Sequence, residues 1–404
     1  MEKSMERTFA FVGNWFFSPR SMGISVYEII PDALKMKFID TYFKDVAVGQ
    51  QYLDSERNIL YVVNERGDLP NSIGGGGYIM AIKINPSTGE LSLINKQRTM
   101  ESYPCYFVLD KSKNYGIVVH HTDDSHVTKI IKGSDGNFTS TTIFDDAADI
   151  LFKVNSDGSI GKICDVHITS GSGVPGPHTL SRHHSVANDP SGKLFVVCDK
   201  GMDKLYSYHI DRKRGKLNFL TETTVETGLS PRYGLFHPTL PIYYANNEKK
   251  PILIAYHYNS ENGKLVEIQR ISLLRLYNID SLTDTNANKA KIESADILIS
   301  PDGNFIYVSI RGINVISTVK IDSKGHMTLK QDIDCGGINP RGLALSSDKK
   351  SVFSTNMESG NITTFNILKD GTLCFTGQKV KCDCPANISI ASFETEGIHG
   401  NDPN

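Results

Sequence analysis

Apolar and polar positions follow two signatures that recur along the chain. The first is a turn of Pro, Asp, Ser, Gly or Asn, then four or five β-branched, aromatic or Leu residues, then a polar residue that ends the run. It occurs as RNILYVVNE (57–65), KNYGIVVHH (113–121), SGKLFVVCDKG (191–201), TLPIYYANNE (239–248), DGNFIYVSIRG (302–312) and DKKSVFSTNMESG (348–360). TFAFVGNW (8–15) reads as a seventh copy whose leading turn is lost at the terminus. The second signature follows nearly every copy: a charged or Asn-rich turn with glycine before another apolar strand, as in NPSTGELSLI, NSDGSIGKI, DRKRGKLNFL and LKDGTLCFTG. Asp, Asn and Gly populate the φ > 0 positions that tight hairpins require, so these turns predict the outer hairpins of a four-stranded unit.

The polar strand ends stand roughly 45 to 80 residues apart, with no sustained helical period between them. All-β repeats of about this length predict radial repetition of small antiparallel sheets, a seven-bladed β-propeller of four-stranded antiparallel blades. A lone blade is a marginal sheet, so the blades must pack on one another, which makes residues 8 to about 393 one domain. The longest spacing predicts an inserted loop at about 122–180, in which GSGVPGPH suits a segment extending over one face; the final EGIHGNDPN reads as frayed.

Composition narrows the function. The chain has 404 residues, 39% hydrophobic and 22% charged, with a formal charge of −2. Acidic and basic residues are interleaved, which leaves no footprint for nucleic acid or an anionic membrane. The opening MEKSMERTFAFVGNWFFSPR lacks an apolar h-region, and no run of about 18 apolar residues occurs, so a cytosolic location is expected. Seven cysteines (105, 164, 198, 335, 374, 382 and 384) at irregular positions fit reduced thiols. Cys382 and Cys384 form CxC without a second Cys/His pair at ligand spacing, so no metal is expected. The glycines at 74–77 precede no GK[ST], and Trp15 reads as blade-packing material.

In a propeller, polar residues in equivalent phase on several repeats converge at one rim of the central channel. The residues that lead into or end the apolar runs include Arg182, His183 and His184 in SRHHSV, Arg232 in SPRYG, Glu248 in NNE, Arg311 in SIRG and Arg341 in NPRGL. Guanidinium forks suit a carboxylate or phosphate. His184 and Glu248 can transfer protons, and Arg232 or Arg311 can stabilise a developing oxyanion. There is no GxSxG elbow and no Cys/His arrangement at a strand end, which points to general acid/base work without a cofactor.

Four phased motifs, HHSVANDPSGKLFVVCDKGMDKLYSYHID, SPRYGLFHPTLPIYYANNE, SADILISPDGNFIYVSIRG and NPRGLALS, resemble the seven-bladed propeller lactonases, a family that includes 6-phosphogluconolactonases and carboxymuconate-lactonizing enzymes. The resemblance covers almost the whole chain. It implies His184, Arg232, Glu248 and Arg311 as catalytic residues; Arg182, His183, His120 and Arg341, which stand at the same rim, are expected substrate contacts. Three polar positions of the family pattern are replaced: HxHS reads Arg182-His183-His184-Ser185, PRH reads Pro231-Arg232-Tyr233, and Ile310 stands before Arg311. Cys105-Tyr106 replaces the CH of a further PCH motif, and His120-His121 an NY pair. The implied activity is metal-independent hydrolysis of a small anionic sugar-acid lactone. A cycloisomerase that closes a muconate-type dicarboxylate, and a non-catalytic propeller that binds a protein or metabolite, are the alternatives. The pattern does not set an oligomeric state.

Overall fold

The computed structural model describes residues 5–15, 22–30, 34–69, 71–124, 126–171, 180–274 and 291–395. Among them are strands and no helix. Seven antiparallel sheets have four strands each, and two further sheets are short hairpins of two. The seven sheets stand in a ring, each innermost strand beside the innermost strand of the next blade, so the fold is the expected seven-bladed propeller.

The apolar runs are the second strand of each blade rather than the innermost. They are Met5–Asn14, Ile59–Asn64, Tyr115–His120, Leu194–Asp199, Ile242–Asn247, Phe305–Arg311 and Ser351–Asn356. Each is buried against both neighbouring blades, which is why it reads as continuous rather than alternating hydrophobicity. The innermost strands are the more polar segments ahead of them: Val48–Asp54, Pro104–Leu109, His183–Asn188, Pro231–Phe236, Glu293–Ile299 and Pro340–Leu345 in blades 2 to 7. Blade 1 takes its innermost strand, Pro385–Thr395, from the far end of the chain.

Local chemistry sets the turns between these two strands. In blade 4, Asp189 Oδ1 accepts from the amides of Lys193 and Leu194 at 2.8 and 2.9 Å, Ser191 donates to Oδ2, and Gly192 takes φ +74°. Asp110 with Ser112 in blade 3, and Ser346 with Asp348 in blade 7, repeat the device. Between blades the core is layered. Phe9 and Phe11 pack on Leu60, Val62 and Met80, and Ile242 and Tyr244 pack on Ile306 and Val308.

The insertion is smaller than expected. Ala147–Val154 and Ile160–Thr169 are the third and fourth strands of blade 3, so NSDGSIGKI is that blade's outer hairpin turn. What is inserted is the hairpin His126–Lys132 and Phe138–Phe144, whose strands are mostly exposed. Residues 172–179 of the Gly/Pro stretch, and residues 396–404, lie outside the described residues.

Candidate active site

Two positions of the repeat supply residues to one rim of the channel. The first follows or ends the second strand: Trp15, Glu65, His121, Lys200, Glu248, Arg311 and Met357 in blades 1 to 7. All seven line a single cavity of about 570 Å³. The second comes from a slip in register near the start of the innermost strand. The unpaired residue is Gly49, Cys105, His184, Arg232 and Arg341 in blades 2, 3, 4, 5 and 7, the pair 295–296 in blade 6, and Ala386 in blade 1. A bulge bends the strand and re-aims one side chain. In blades 4, 5 and 7 that side chain is a histidine or an arginine, and all three line the cavity.

Glu248 is the centre of the charge cluster. Lys200 Nζ donates to its two oxygens at 3.0 and 3.1 Å, Arg232 Nε donates to Oε2 at 2.7 Å, and Arg311 Nη2 lies 3.7 Å away. Burial pushes the carboxyl up, but Lys200, Arg232 and Arg311 outweigh it and hold Glu248 well below the usual carboxylate range. Arg232 is 2% exposed and spends Nη1 on the carbonyl of Ala295 at 2.8 Å. Arg311 also faces Glu293 at 3.0 Å, yet its Nε and Nη2 make no hydrogen bond among the described residues. Burial lowers its pKa to about 10.

His184 packs edge-on against Tyr233 and His121, with ring centroids 5.2 and 5.7 Å away, and its buried Nδ1 makes no hydrogen bond among the described residues. Burial, then Arg232 and Lys200, pushes its imidazole well below the ordinary value, so it is neutral at pH 7. Burial, then Lys200 and Arg182, does the same to His121. Arg341 lies over the Trp15 ring at 4.1 Å, with Nη2 3.8 Å from Glu65 Oε2. Beneath them Asp296 accepts the amides of Ile297 and Leu343, and burial pushes its carboxyl up to about 6.

Two expected substrate contacts point elsewhere. His183 is fully buried on the opposite face of its strand, its Nδ1 2.6 Å from Asp149 Oδ1 and its Nε2 3.7 Å from Asp199 Oδ2. His120 is equally buried, with Nδ1 2.7 Å from the carbonyl of Ala148. Neither lines the cavity. Successive residues of a strand face opposite ways, so the cavity residues are their neighbours His184 and His121. Arg182 stands at the mouth, paired with Asp124, which does line the cavity. Lys200, Glu65 and Trp15 were not singled out as site residues from the sequence. The signal that finds them is their position, directly after the Asn or Asp that closes the second strand, where Glu248 also stands.

A second recess of about 530 Å³ adjoins the cavity at Met357 and Glu358. Its other charges, Lys379, Lys381 and Asp383, are exposed. The central cavity is different in kind: four cations, Lys200, Arg232, Arg311 and Arg341, meet the buried carboxylates of Glu65 and Glu248, with Asp123, Asp124 and Glu358 also in the lining. Among the described residues, no three His, Cys, Asp or Glu side chains are arranged to hold a metal ion.

Fold and cavity together define a propeller with guanidinium groups, carboxylates and imidazoles gathered in one cavity at one end of its channel. Residues 11–390 match the family described as "Lactonase, 7-bladed beta-propeller", and the chain belongs to that family. It is 26% identical over 344 residues to a 6-phosphogluconolactonase of Bacillus subtilis, covering 84% of this chain and 86% of that protein. A 6-phosphogluconolactonase of Formosa agariphila is 26% identical over 365 residues, 88% of this chain and 91% of that one. The solved structure of a periplasmic gluconolactonase from Pseudomonas aeruginosa superposes with a TM-score of 0.77 at 20% identity, covering 96% of this chain and 99% of that chain, a likeness of fold.

Proposed function

We propose that the protein hydrolyses the internal ester of a small anionic sugar-acid lactone, without a metal. The observation that carries this reading is the pairing, in one cavity, of the Arg311 guanidinium, whose Nε and Nη2 make no hydrogen bond among the described residues, with a neutral, unbonded His184 Nδ1. The names of the curated relatives supply the substrate class, 6-phosphogluconolactone.

In this mechanism Arg341 and Arg311 receive the substrate's anionic group and the ester carbonyl. His184 takes a proton from the water that attacks the carbonyl carbon, and charge developing on the carbonyl oxygen faces Arg311. Arg232 and Lys200 oppose the imidazolium. A bound anion offsets them, so the substrate itself makes His184 a better base. Glu248 stays ionised and holds Lys200, Arg232 and Arg311 in place. The seven cysteines are unpaired, which supports the cytosolic reading.

The test is proton release, followed at constant pH, across a panel of phosphorylated and unphosphorylated aldonolactones. Arg311→Ala is expected to lower kcat/KM by about 100-fold, the usual effect of removing one oxyanion donor. A folded parent protein that leaves every lactone of the panel intact overturns the reading. Loss of diene absorbance from a carboxymuconate would point to cyclisation instead.

A further inference from the structure

Hydrolysis needs two proton transfers, one from the attacking water and one to the ring oxygen that leaves. Glu248 is poorly suited to the second, because three cations hold it as an anion. The cavity contains another buried carboxylate. Glu65 follows the second strand of blade 2 as Glu248 follows that of blade 5, on the far side of the channel. Its side chain is 8% exposed, and Oε2 is buried with no hydrogen bond among the described residues. Arg341, the nearest cation, stands 3.8 Å off, beyond hydrogen-bond distance.

The fold makes room for this carboxylate. Gly49 occupies the bulge of blade 2, where blades 4, 5 and 7 carry His184, Arg232 and Arg341. Its φ lies outside the left-handed region, so the backbone does not require glycine there. Space does: a Cβ on Gly49 would come within 2.8 Å of Glu65 Oε2 and 2.9 Å of Glu65 Cβ. A carboxylate serving only to neutralise Arg341 would settle into direct hydrogen bonds with it. Glu65 leaves one oxygen unbonded instead, above a floor cleared of side chain.

We propose that Glu65 is the general acid of the lactone hydrolysis, giving its proton to the leaving ring oxygen while His184 takes one from water. The inference rests on the lactonase reading of the cavity. As the C–O bond to water forms, one water proton passes to His184. As the ring C–O bond breaks, its electron pair stays on the ring oxygen, which takes the proton of Glu65. The product is a hydroxy acid, whose carboxyl proton goes to solvent. His184 returns its proton through water to Glu65, which restores both groups. Burial favours the protonated form of Glu65 and outweighs Arg341, Lys200, Arg232 and a hydrogen bond with the Trp15 side chain, all of which favour the anion, whereas Glu248 is displaced the other way. Two carboxyls driven apart in this manner mark an acid and a fixed anion.

The experiment compares the parent with Glu65→Gln and Glu65→Asp on the best lactone of the panel, across pH. The rate of the parent should fall at high pH, as the acid loses its proton, and at low pH, as His184 gains one. Glu65→Gln is expected to lower kcat by about 100-fold and to erase the high-pH limb. Glu65→Asp should keep that limb at reduced kcat. Binding of the product aldonate, read from the fluorescence of Trp15, should stay within about threefold in both variants. An effect on thermal stability or aldonate binding with the high-pH limb intact in Glu65→Gln, or a kcat within threefold of the parent, overturns the proposal. A parent inactive on every lactone overturns the lactonase reading itself, which is a separate outcome.

Discussion

Glu248 is kept ionised in the channel by its surroundings, because burial alone would protonate it. Lys200, Arg232 and Arg311 stabilise the anion, and the anion in turn keeps three cations from repelling one another. Removing one partner of such a cluster leaves uncompensated buried charge, so Glu248→Gln should cost about 3–5 kcal/mol of stability. The folded pKa lies below the unfolded value, so this contribution is complete above about pH 4.5 and is lost only as pH falls through the folded value. Thermal melts of parent and variant should therefore differ equally at pH 8 and pH 6 and converge in acid. The same substitution frees cationic charge, so gluconate should bind about tenfold tighter while turnover falls. The only tryptophan, Trp15, lies in the cavity and reports that binding. Much of the cluster was legible from phase, since His184, Arg232 and Arg341 share one place in the repeat, near the start of the innermost strand, and Glu248 and Arg311 another, at the end of the second. The errors were of a single residue. His120 and His183 neighbour the cavity residues His121 and His184, and composition cannot tell which of two adjacent histidines faces the channel.

At the scale of elements, the bulges in the innermost strands turn a repeated sheet into a site. A regular ladder would alternate side chains between the two blade faces, and the extra residue turns one of them toward the channel. No composition signals such a slip, which is why the sequence located the motifs but not the strand they occupy. The apolar run is the second strand, and the short polar segment before it is the innermost one. The seam between blades 3 and 4 shows what the residues on the other face do. His183 sits between Asp149 and Asp199, with His120, His167, Tyr206 and Tyr208 around the group. Asp199 also accepts the amides of Arg182, Gly201 and Met202, fixing the chain on both sides of Lys200. Burial lowers the pKa of His183, but the two aspartates outweigh it and raise it above the ordinary 6.5. A raised folded value contributes stability that is complete below pH 6.5 and is lost as pH rises through the folded pKa. His183→Gln should therefore depress the melting temperature more at pH 5.5 than at pH 9. Equal depression at both would mean that the ring acts by packing alone.

For the whole molecule, the repeat count fixed the architecture because each blade announces itself twice, once by its apolar run and once by its outer turn. The inserted hairpin escaped this reading since its strands, HVTKIIK and FTSTTIF, pack against little and obey no core pattern. Closure of the ring has a different origin. Pro385–Thr395 pairs along the length of Met5–Asn14, from Met5 opposite Thr395 to Asn14 opposite Pro385, so the first blade exists only when both ends of the described chain meet. The contacts across that joint are extensive: Ala10 and Val12 share a buried cluster with Phe353, Ile362 and Ile388. A chain ending at residue 384 would leave the second strand of blade 1 as an open edge and expose the facing surface of blade 7, a template for aggregation. It should lose its single cooperative thermal transition and run as aggregate on gel filtration. Cleavage within 133–137, at the tip of the inserted hairpin, should leave both properties intact, because no blade strand is interrupted. If the truncated chain melts as sharply as the parent, the blades hold together without the terminal joint, and the ring is not the cooperative unit of this fold.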